Sequence, residues 1–273
     1  MKPQEPPAGL ATFALTVVLG GGLLVLLSSV QQPHDLSLHG HRIDEALSYT
    51  TALITGYFAV VVGVLGYCVM RFRDQPGRRA WYTHGNEPRH IAMTVLLALS
   101  VFVFVDTRLI HTANEDVTEV FWNYPSGPDV LKVEVRAQQF EWHVRYAGPD
   151  GKFNTADDVE TINQLHLPVG RPVVFQLRSK DVVHCFFLPA FRQKQDVNPG
   201  RTTRMWVQAR EPGECEVACA QLCGLGHYRM RAQVTAEPAK DFDAWIATQS
   251  KAAAEDYDPK DKEANWGWDW EER

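Results

Sequence analysis

The chain has 273 residues, with 27 Lys and Arg against 33 Asp and Glu, a formal net charge of −6. This acidic balance argues against nucleic acid as the main partner, since phosphate backbones are held by basic groups. The charge is uneven: residues 1–112 hold eight basic and seven acidic groups, whereas residues 113–273 hold 19 basic and 26 acidic groups. The first part also contains three long apolar stretches, which excludes a purely soluble protein.

These apolar stretches predict a membrane anchor over 1–112, with spans at about 8–30, 46–70 and 90–112. The first two contain 23 and 25 residues without a charge, long enough as helices to cross a hydrocarbon layer of roughly 30 Å. The third is interrupted by charges at 106 and 108 but is still interpreted as a span. The first stretch has the alternative of a cleaved secretory signal, although 28–31 is a poor cleavage site, and we favour an uncleaved span.

The loop between the second and third spans predicts the orientation of the anchor. Residues 71–89 hold five arginines against two acidic residues, which places this loop in the cytoplasm by the positive-inside rule. Segment 31–45 and everything after the third span then lie outside. We therefore expect a multi-pass protein of a bacterial-type inner (plasma) membrane, with its large domain on the outer, periplasmic or extracytoplasmic face.

From about residue 115 the pattern changes to short runs rich in β-branched and aromatic residues, which predict strands. The runs are 130–135, 140–146, 161–167, 172–177, 182–188, 203–207 and 230–234. Turn residues separate them, and an acidic stretch at 150–158 is read as a solvated hairpin tip rather than a calcium site. Many short strands at this spacing predict a β-sandwich or small Greek-key barrel over 113–236, so the fold class is membrane-anchored all-β.

Residues 237–273 form an acidic C-terminal tail. A short surface helix is expected at 240–253, and beyond it the tail contains Trp266, Trp268 and Trp270. Tryptophan is unusual in a purely disordered segment. Two interpretations therefore stay open: the tail docks on another surface, or it is a loose terminus.

One segment combines side chains typical of a metal site. Cys219, Cys223, His227 and Met230 lie within twelve residues, with two glycines between them that let the backbone turn tightly. Soft sulfur and imidazole ligands suit copper in an electron-transfer site, whereas a structural zinc site has no use for a thioether. A further ligand should come from another strand, and His184 is well placed in the run 182–188.

On these residues the chain resembles subunit II of the haem–copper oxidases, the cytochrome c oxidase family. The resemblance covers about 46–236 and rests on the copper motif together with 184–201, which includes a Pro-Ala-Phe turn and a Pro-Gly-Arg turn. It implies a two-helix membrane hairpin, here with one extra N-terminal span, followed by a cupredoxin-like Greek-key barrel. That barrel carries a dinuclear copper centre called CuA in the family.

The resemblance also implies ligands. Cys219 and Cys223 would bridge the two copper ions, His184 and Met230 would complete one ion, and His227 with the backbone carbonyl of Gln221 the other. The chain would be part of a proton-translocating oxidoreductase of the respiratory chain, without an oxygen-reducing site or catalytic residue of its own. Its partners would be haem-bearing subunit I, other oxidase subunits, and cytochrome c or another soluble donor. Electrons would pass from that donor to haem, where O2 is reduced to water.

Three positions depart from the family pattern. Gln221 stands where a glutamate commonly helps bind magnesium, and a neutral amide gives weak support for magnesium here. Phe140 stands where the family has the tryptophan that receives electrons. Trp142 matches the second aromatic of that pattern, although core packing explains it equally well. His90 replaces a glutamate near the start of a proton path and is a candidate for that role, with a plain interfacial histidine as the alternative.

Other functions remain in competition at this point. The copper motif also suits the CuA subunit of a nitric oxide reductase, or a membrane-tethered copper-binding or copper-delivery protein. Of the remaining thiols, Cys68 is expected to be a small hydrophobe in the second span. Cys185 and Cys215 are open to three interpretations: a disulfide, a role in copper loading, or no special role. No Cys-x-x-Cys-His motif occurs, so we expect no covalently attached haem.

Overall fold

The computed structural model describes residues 32–72, 76–77, 79, 82 and 84–261, together with 14, 15, 17, 18, 20–22, 266, 268 and 270. Two compact units emerge. Residues 44–115 belong to one, and residues 33–43 with the chain from Asp116 onward form the other. The predicted first span, 8–30, lies largely outside the described residues, and those that are described within it are helical.

The first unit contains two long apolar helices. Helix α1 covers Gly40–Arg71 and helix α2 covers Pro88–Val101. Helix α2 continues as a π-helix over Phe102–Ile110. The short helix α3, His111–Glu115, and a second π-helical stretch, Asp116–Phe121, follow. Gly40–Arg71 and Pro88–Val105 are long and apolar enough to cross a membrane. Two tyrosine hydroxyls on α1 donate across the pair, from Tyr57 to Ser100 Oγ (3.1 Å) and from Tyr49 to the carbonyl of Phe104 (2.7 Å). Both spans of the predicted hairpin are therefore confirmed as apolar helices.

The second unit is a sandwich of two five-stranded sheets. Its strands are β1 (Leu131–Gln138), β2 (Glu141–Tyr146), β3 (Val159–Ile162), β4 (Gln164–Pro168), β5 (Pro172–Ser179), β6 (His184–Leu188), β7 (Gln193–Val197), β8 (Thr203–Gln208), β9 (Gly213–Cys219) and β10 (Arg231–Glu237). The first sheet has the order β3-β2-β1-β5-β8 and the second β4-β10-β9-β6-β7. Alternate side chains of both sheets bury one common core, as period-two strands require. The predicted all-β domain is confirmed.

Four strands differ from the sequence prediction. The run predicted at 161–167 is two strands, β3 and β4, because Asn163 adopts a left-handed conformation (φ 56°) that breaks the extended chain. Strands β7 and β9 were missed. Both contain mainly polar or charged residues on one face, and β7 is an edge strand, so neither carries a run of apolar residues.

The segment just before α1 is part of the β-sandwich, which the predicted boundary at 113 did not anticipate. Leu36 is buried in the core, its N–H donates to the carbonyl of Ala190 (3.0 Å), and its carbonyl accepts from Arg210 (2.7 Å). Farther along, Arg42 forms an ion pair with the mostly buried Asp116. The two chain ends that lead into and out of the helical hairpin are therefore fastened to the same domain.

Two peripheral elements complete the domain. Helix α4, Ala239–Asp256, confirms the predicted surface helix: Phe242 is buried in the core, and Trp245 stacks on His166 at 4.0 Å. The acidic stretch 150–158 is a loop in which the Asp158 carboxylate lies 3.5 Å from the Arg145 guanidinium. That carboxylate is used for an internal ion pair, in agreement with the hairpin interpretation.

Candidate metal centre

Two strand ends and one loop build the site. His184 begins β6, Cys219 ends β9, and the following loop makes a 3-10 turn at His227–Arg229 before β10 starts. The loop is closed by the N–H of Cys219, which donates to the carbonyl of Met230 (3.1 Å). The next N–H, that of Ala220, donates to the carbonyl of Cys185 on β6 (3.1 Å). Because of these bonds, side chains far apart in sequence converge at one end of the sandwich.

The donor atoms lie close together. The ligand atoms of His184, Cys219 and Cys223 are all within 4.8 Å of one another. Cys223 Sγ lies 3.8 Å from Cys219 Sγ, 3.8 Å from Met230 Sδ and 3.6 Å from His227 Nδ1. The backbone oxygen of Gln221 is 3.2 Å from Cys219 Sγ. The structure thus brings together every side chain, and the one carbonyl, that the sequence analysis proposed as metal ligands.

The His184 ring shows the arrangement of a metal ligand. It is fully buried, and its Nε2 lies 2.8 Å from Asp181 Oδ1. Its Nδ1 is buried and has no hydrogen-bond partner among the residues that the structure describes. With Nε2 bound to the carboxylate, Nδ1 is the ring nitrogen that is left to bind a metal ion. A carboxylate that orients a ligating imidazole in this way is the usual outer-shell partner in metal sites.

The two clustered thiols have opposite pKa shifts. Burial opposes ionisation of both, but the His184 imidazole and nearby hydrogen bonds outweigh it at Cys219 and lower that pKa to about 6. Burial and the neighbouring Cys219 charge raise the pKa of Cys223 to about 12. Without a metal the pair therefore holds one thiolate and one thiol at neutral pH. A soft cation that binds both sulfurs must displace the remaining proton.

The chain between β9 and β10, residues 220–230, is called the metal-binding loop. The turn between β1 and β2 shapes this loop. Gln139 Nε2 donates to the carbonyl of Cys223 (2.5 Å), and the Phe140 ring packs against two glycines of the loop. A Cβ at Gly224, where φ is +129°, would lie 2.6 Å from Gln139 Nε2, and one at Gly226 would lie 2.5 Å from the Phe140 ring. Only glycine fits at these two positions without a shift of the turn. The two glycines can be recognised from the sequence, whereas Gln139 and Asp181 become parts of the site only through the fold.

The other predicted residues occupy different environments. Phe140 is partly exposed beside the loop, whereas Trp142 is fully buried in the core with ring centroids 5.2 Å from Phe186 and 6.0 Å from His184. His90 belongs to the helical unit, in the first turn of α2. Trp142 therefore serves as core packing, in line with one of its two interpretations.

The remaining thiols do not form a disulfide in this structure, where all five cysteines are free. Cys185 is buried on β6, and burial together with the carboxylate of Asp196 raises its pKa to about 12. Cys215 lies on β9, where burial raises its pKa to about 11. Both are therefore protonated at neutral pH and are weak nucleophiles.

The fold and the site together define a membrane-anchored, cupredoxin-like protein with a candidate metal-binding group of cysteine and histidine side chains. The family model for the periplasmic domain of cytochrome c oxidase subunit II matches residues 120–237. An alternative cytochrome c oxidase subunit 2 from Bradyrhizobium diazoefficiens is 35% identical over 77% of this chain and 81% of the relative. Cytochrome c oxidase subunit 2 from Synechocystis is 26% identical over 88% and 84%.

Among solved structures, the periplasmic domain of subunit II of cytochrome oxidase from Bradyrhizobium japonicum is 28% identical, with a TM-score of 0.42 over 48% of this chain and 99% of that domain. The sequence relatives decide the assignment. The chain belongs to the cytochrome c oxidase subunit II family: it is the subunit through which electrons enter a haem–copper oxidase, an oxidoreductase complex.

Proposed function

We propose that this subunit binds two copper ions at its clustered thiols and transfers electrons from a soluble donor to haem in subunit I. The single observation that carries the proposal is the buried Nδ1 of His184, which faces Cys219 and Cys223 without a partner among the described residues. An unpaired buried imidazole nitrogen costs free energy in the apo protein, and a metal ion removes that cost. Two thiols beside it favour a soft metal such as copper.

The residue roles follow from position. Cys219 and Cys223, with their sulfurs 3.8 Å apart, would bridge the two ions. Met230 and His184 would complete one ion, and His227 with the Gln221 carbonyl the other. When bound, the copper pair accepts and releases one electron at a time. Asp181 holds the His184 ring in place, and the buried Trp142 ring beside it excludes water, so that the ligands move little when the charge changes.

We propose that the β-sandwich lies outside the cytoplasm. Residues 33–43 and the chain from Asp116 onward pack into one compact unit, so both ends of the helical hairpin emerge on the same side of the membrane. The hairpin loop, 71–89, then lies on the other side, and its five arginines favour the cytoplasm. The contact between Leu36 and the core supports this topology independently of the charge rule.

We propose that the soluble donor docks beside the metal-binding loop. Leu222, Leu225 and Tyr228 on this loop are exposed to 77%, 97% and 82%, which forms an apolar rim of the kind that a partner protein covers. The acidic exported domain favours a basic donor such as a cytochrome c, because opposite charges speed the encounter. Phe140, partly exposed and in contact with the loop, is the proposed first receiver of electrons. His90 stays the proposed residue at the start of a proton path.

The test is to purify the full chain in detergent, load it with copper, and measure metal content and the EPR spectrum. We expect two copper ions per chain and hyperfine structure from one electron shared by both nuclei. Cys223→Ser should abolish this signal, whereas Cys215→Ser, on a strand face outside the cluster, should retain it. A single copper ion with a mononuclear spectrum, or a preference for zinc, would contradict the proposal.

A further inference from the structure

The outer face of the first sheet carries a group of basic side chains. We call Lys132 and Arg136 on β1, Arg145 on β2 and Arg178 on β5 the basic face. They point away from the core because core residues such as Val133 and Val135 occupy the alternate positions. Yet this side of the sheet is not fully open to solvent: Arg145 is only 2% exposed. Another segment of the chain therefore covers the basic face at Arg145.

The three tryptophans of the tail lie on this face. The ring of Trp266 has its centroid 4.5 Å from the guanidinium carbon of Arg136 and 4.7 Å from that of Arg145. The ring of Trp268 lies 4.7 Å from the guanidinium carbon of Arg178. The ring of Trp270 lies 5.4 Å from Lys132 Nζ. Each of the four cations is thus within about 6 Å of an indole ring, the range of cation–π attraction.

Other contacts fix the position of the tryptophans. Trp266 Nε1 donates to Glu160 Oε2 at the edge strand β3 (2.6 Å). Trp270 stacks on Phe153, with centroids 5.5 Å apart and planes 16° from parallel. The hydrogen bond of Trp266 and the stacked ring of Trp270 both depend on orientation, so together they define one placement of these rings. Attraction between opposite charges alone would allow many placements.

The sequence of the tail suits this mode of binding. Positions 266, 268 and 270 alternate, so an extended chain presents all three rings on one side. The last 23 residues hold eight acidic and four basic residues, which complements the basic face. The segment also lies beyond the region that the family model matches, 120–237.

We propose that the basic face is a binding site for an acidic Trp-x-Trp-x-Trp segment, and that Trp266, Trp268 and Trp270 of this chain occupy it as an intramolecular latch. The inference is independent of copper binding. A short tether between the end of α4 and Trp266 keeps the segment at a local concentration in the millimolar range, so binding in cis needs only modest intrinsic affinity. The same segment supplied as a free peptide is expected to bind an emptied site with a Kd below about 1 mM.

The experiment uses the full chain in detergent and a fluorescent peptide of residues 262–273. In one variant the chain ends at residue 261. In a second, full-length variant Trp266, Trp268 and Trp270 are all replaced by alanine, which keeps the test valid if the truncated chain folds poorly. Fluorescence anisotropy should show that both variants bind the peptide, whereas the unaltered chain binds at least tenfold more weakly because its site is occupied.

The arginines are tested within the full-length variant that lacks the three tryptophans. Arg136→Gln and Arg178→Gln should each weaken peptide binding about three- to tenfold, since each removes one cation–π contact. Arg231→Gln, an exposed arginine on β10 of the other sheet, is the matched control and should leave binding unchanged. Equal peptide binding by the unaltered chain and the variants, or no binding to the variants, would overturn the latch. So would a dimer that forms only when the tail is present, because the tail would then occupy a second copy.

Discussion

Replacement of Asp181 by alanine should weaken copper binding, although this residue is not itself a proposed ligand. Its carboxylate accepts from His184 Nε2 (2.8 Å) and from the backbone N–H groups of Gln139 (2.7 Å) and Val182 (2.6 Å). These hydrogen bonds, which outweigh burial, lower the pKa of Asp181, so it is an anion at neutral pH. The substitution removes both the charge behind the imidazole and the anchor of the turn that touches the metal-binding loop.

The magnitude follows from the role of outer-shell partners. Loss of the carboxylate that orients a ligating histidine typically lowers metal affinity about 10- to 100-fold, or about 1.4–2.7 kcal/mol. Without copper, the substitution should lower the free energy of unfolding by about 1 kcal/mol, the low end of the cost of an unpaired polar group. The cost is low because Gln139 is exposed, so water can replace the carboxylate as the acceptor of its N–H. Asp181→Asn keeps an accepting oxygen, so its copper affinity should lie between that of Asp181→Ala and that of the unaltered chain.

Copper affinity is measured by competition with a chelator of known affinity, with the visible absorption of the copper–thiolate centre as the signal. Asp243→Ala, an exposed acid on α4 away from the site, serves as the control for a lost negative charge and should bind copper as the unaltered chain does. If Asp181→Ala binds copper with unchanged affinity, the hydrogen bond to His184 has no role in holding the ligand, and the reasoning is wrong.

Three further outcomes are expected. Gly226→Ala should destabilise the chain by about 1–3 kcal/mol through overlap with the Phe140 ring, and the added change Phe140→Ala should recover part of the loss; unfolding in urea measures both. Arg145→Ala should cost about 3–5 kcal/mol because it leaves Glu134 buried without its partner. Burial, partly offset by Arg145, raises the pKa of Glu134 to about 7, so this cost should shrink when unfolding is repeated at pH 5. Copper affinity, followed by chelator competition, should rise about tenfold per pH unit from pH 7 to 9, because Cys223 must release its proton to bind; a flat profile would contradict this.

The sequence was most informative where the physical signal is local. A charge-free stretch long enough to cross a bilayer is a property of consecutive residues, and it predicted both helices of the hairpin without knowledge of their packing. Cys219, Cys223, His227 and Met230 lie on one loop, so their spacing by itself predicted a soft-metal site. His184 was proposed from its place in the run 182–188, and the family resemblance supported it, but the sequence could not show how close this ring lies to the thiols.

Other features depend on contacts between distant segments, which no local pattern records. Strand β7 consists of polar residues and is a strand only because β6 offers it an edge to pair with. The sequence places Leu36 in the segment that connects two predicted spans, yet its side chain is buried in the core of the sandwich.

The same limit applies to the surroundings of the site and to the tail. Asp181 becomes the partner of His184 only through the geometry of a turn. The composition of the tail left docking and disorder equally open, and the decision came from basic side chains of β1, β2 and β5, 88 or more residues away from Trp266. The sequence by itself determined the two helical spans and predicted the candidate ligands at 219–230, because these depend on neighbouring residues. Tertiary structure alone decided which surfaces meet, because that depends on how strands far apart in the chain are brought side by side.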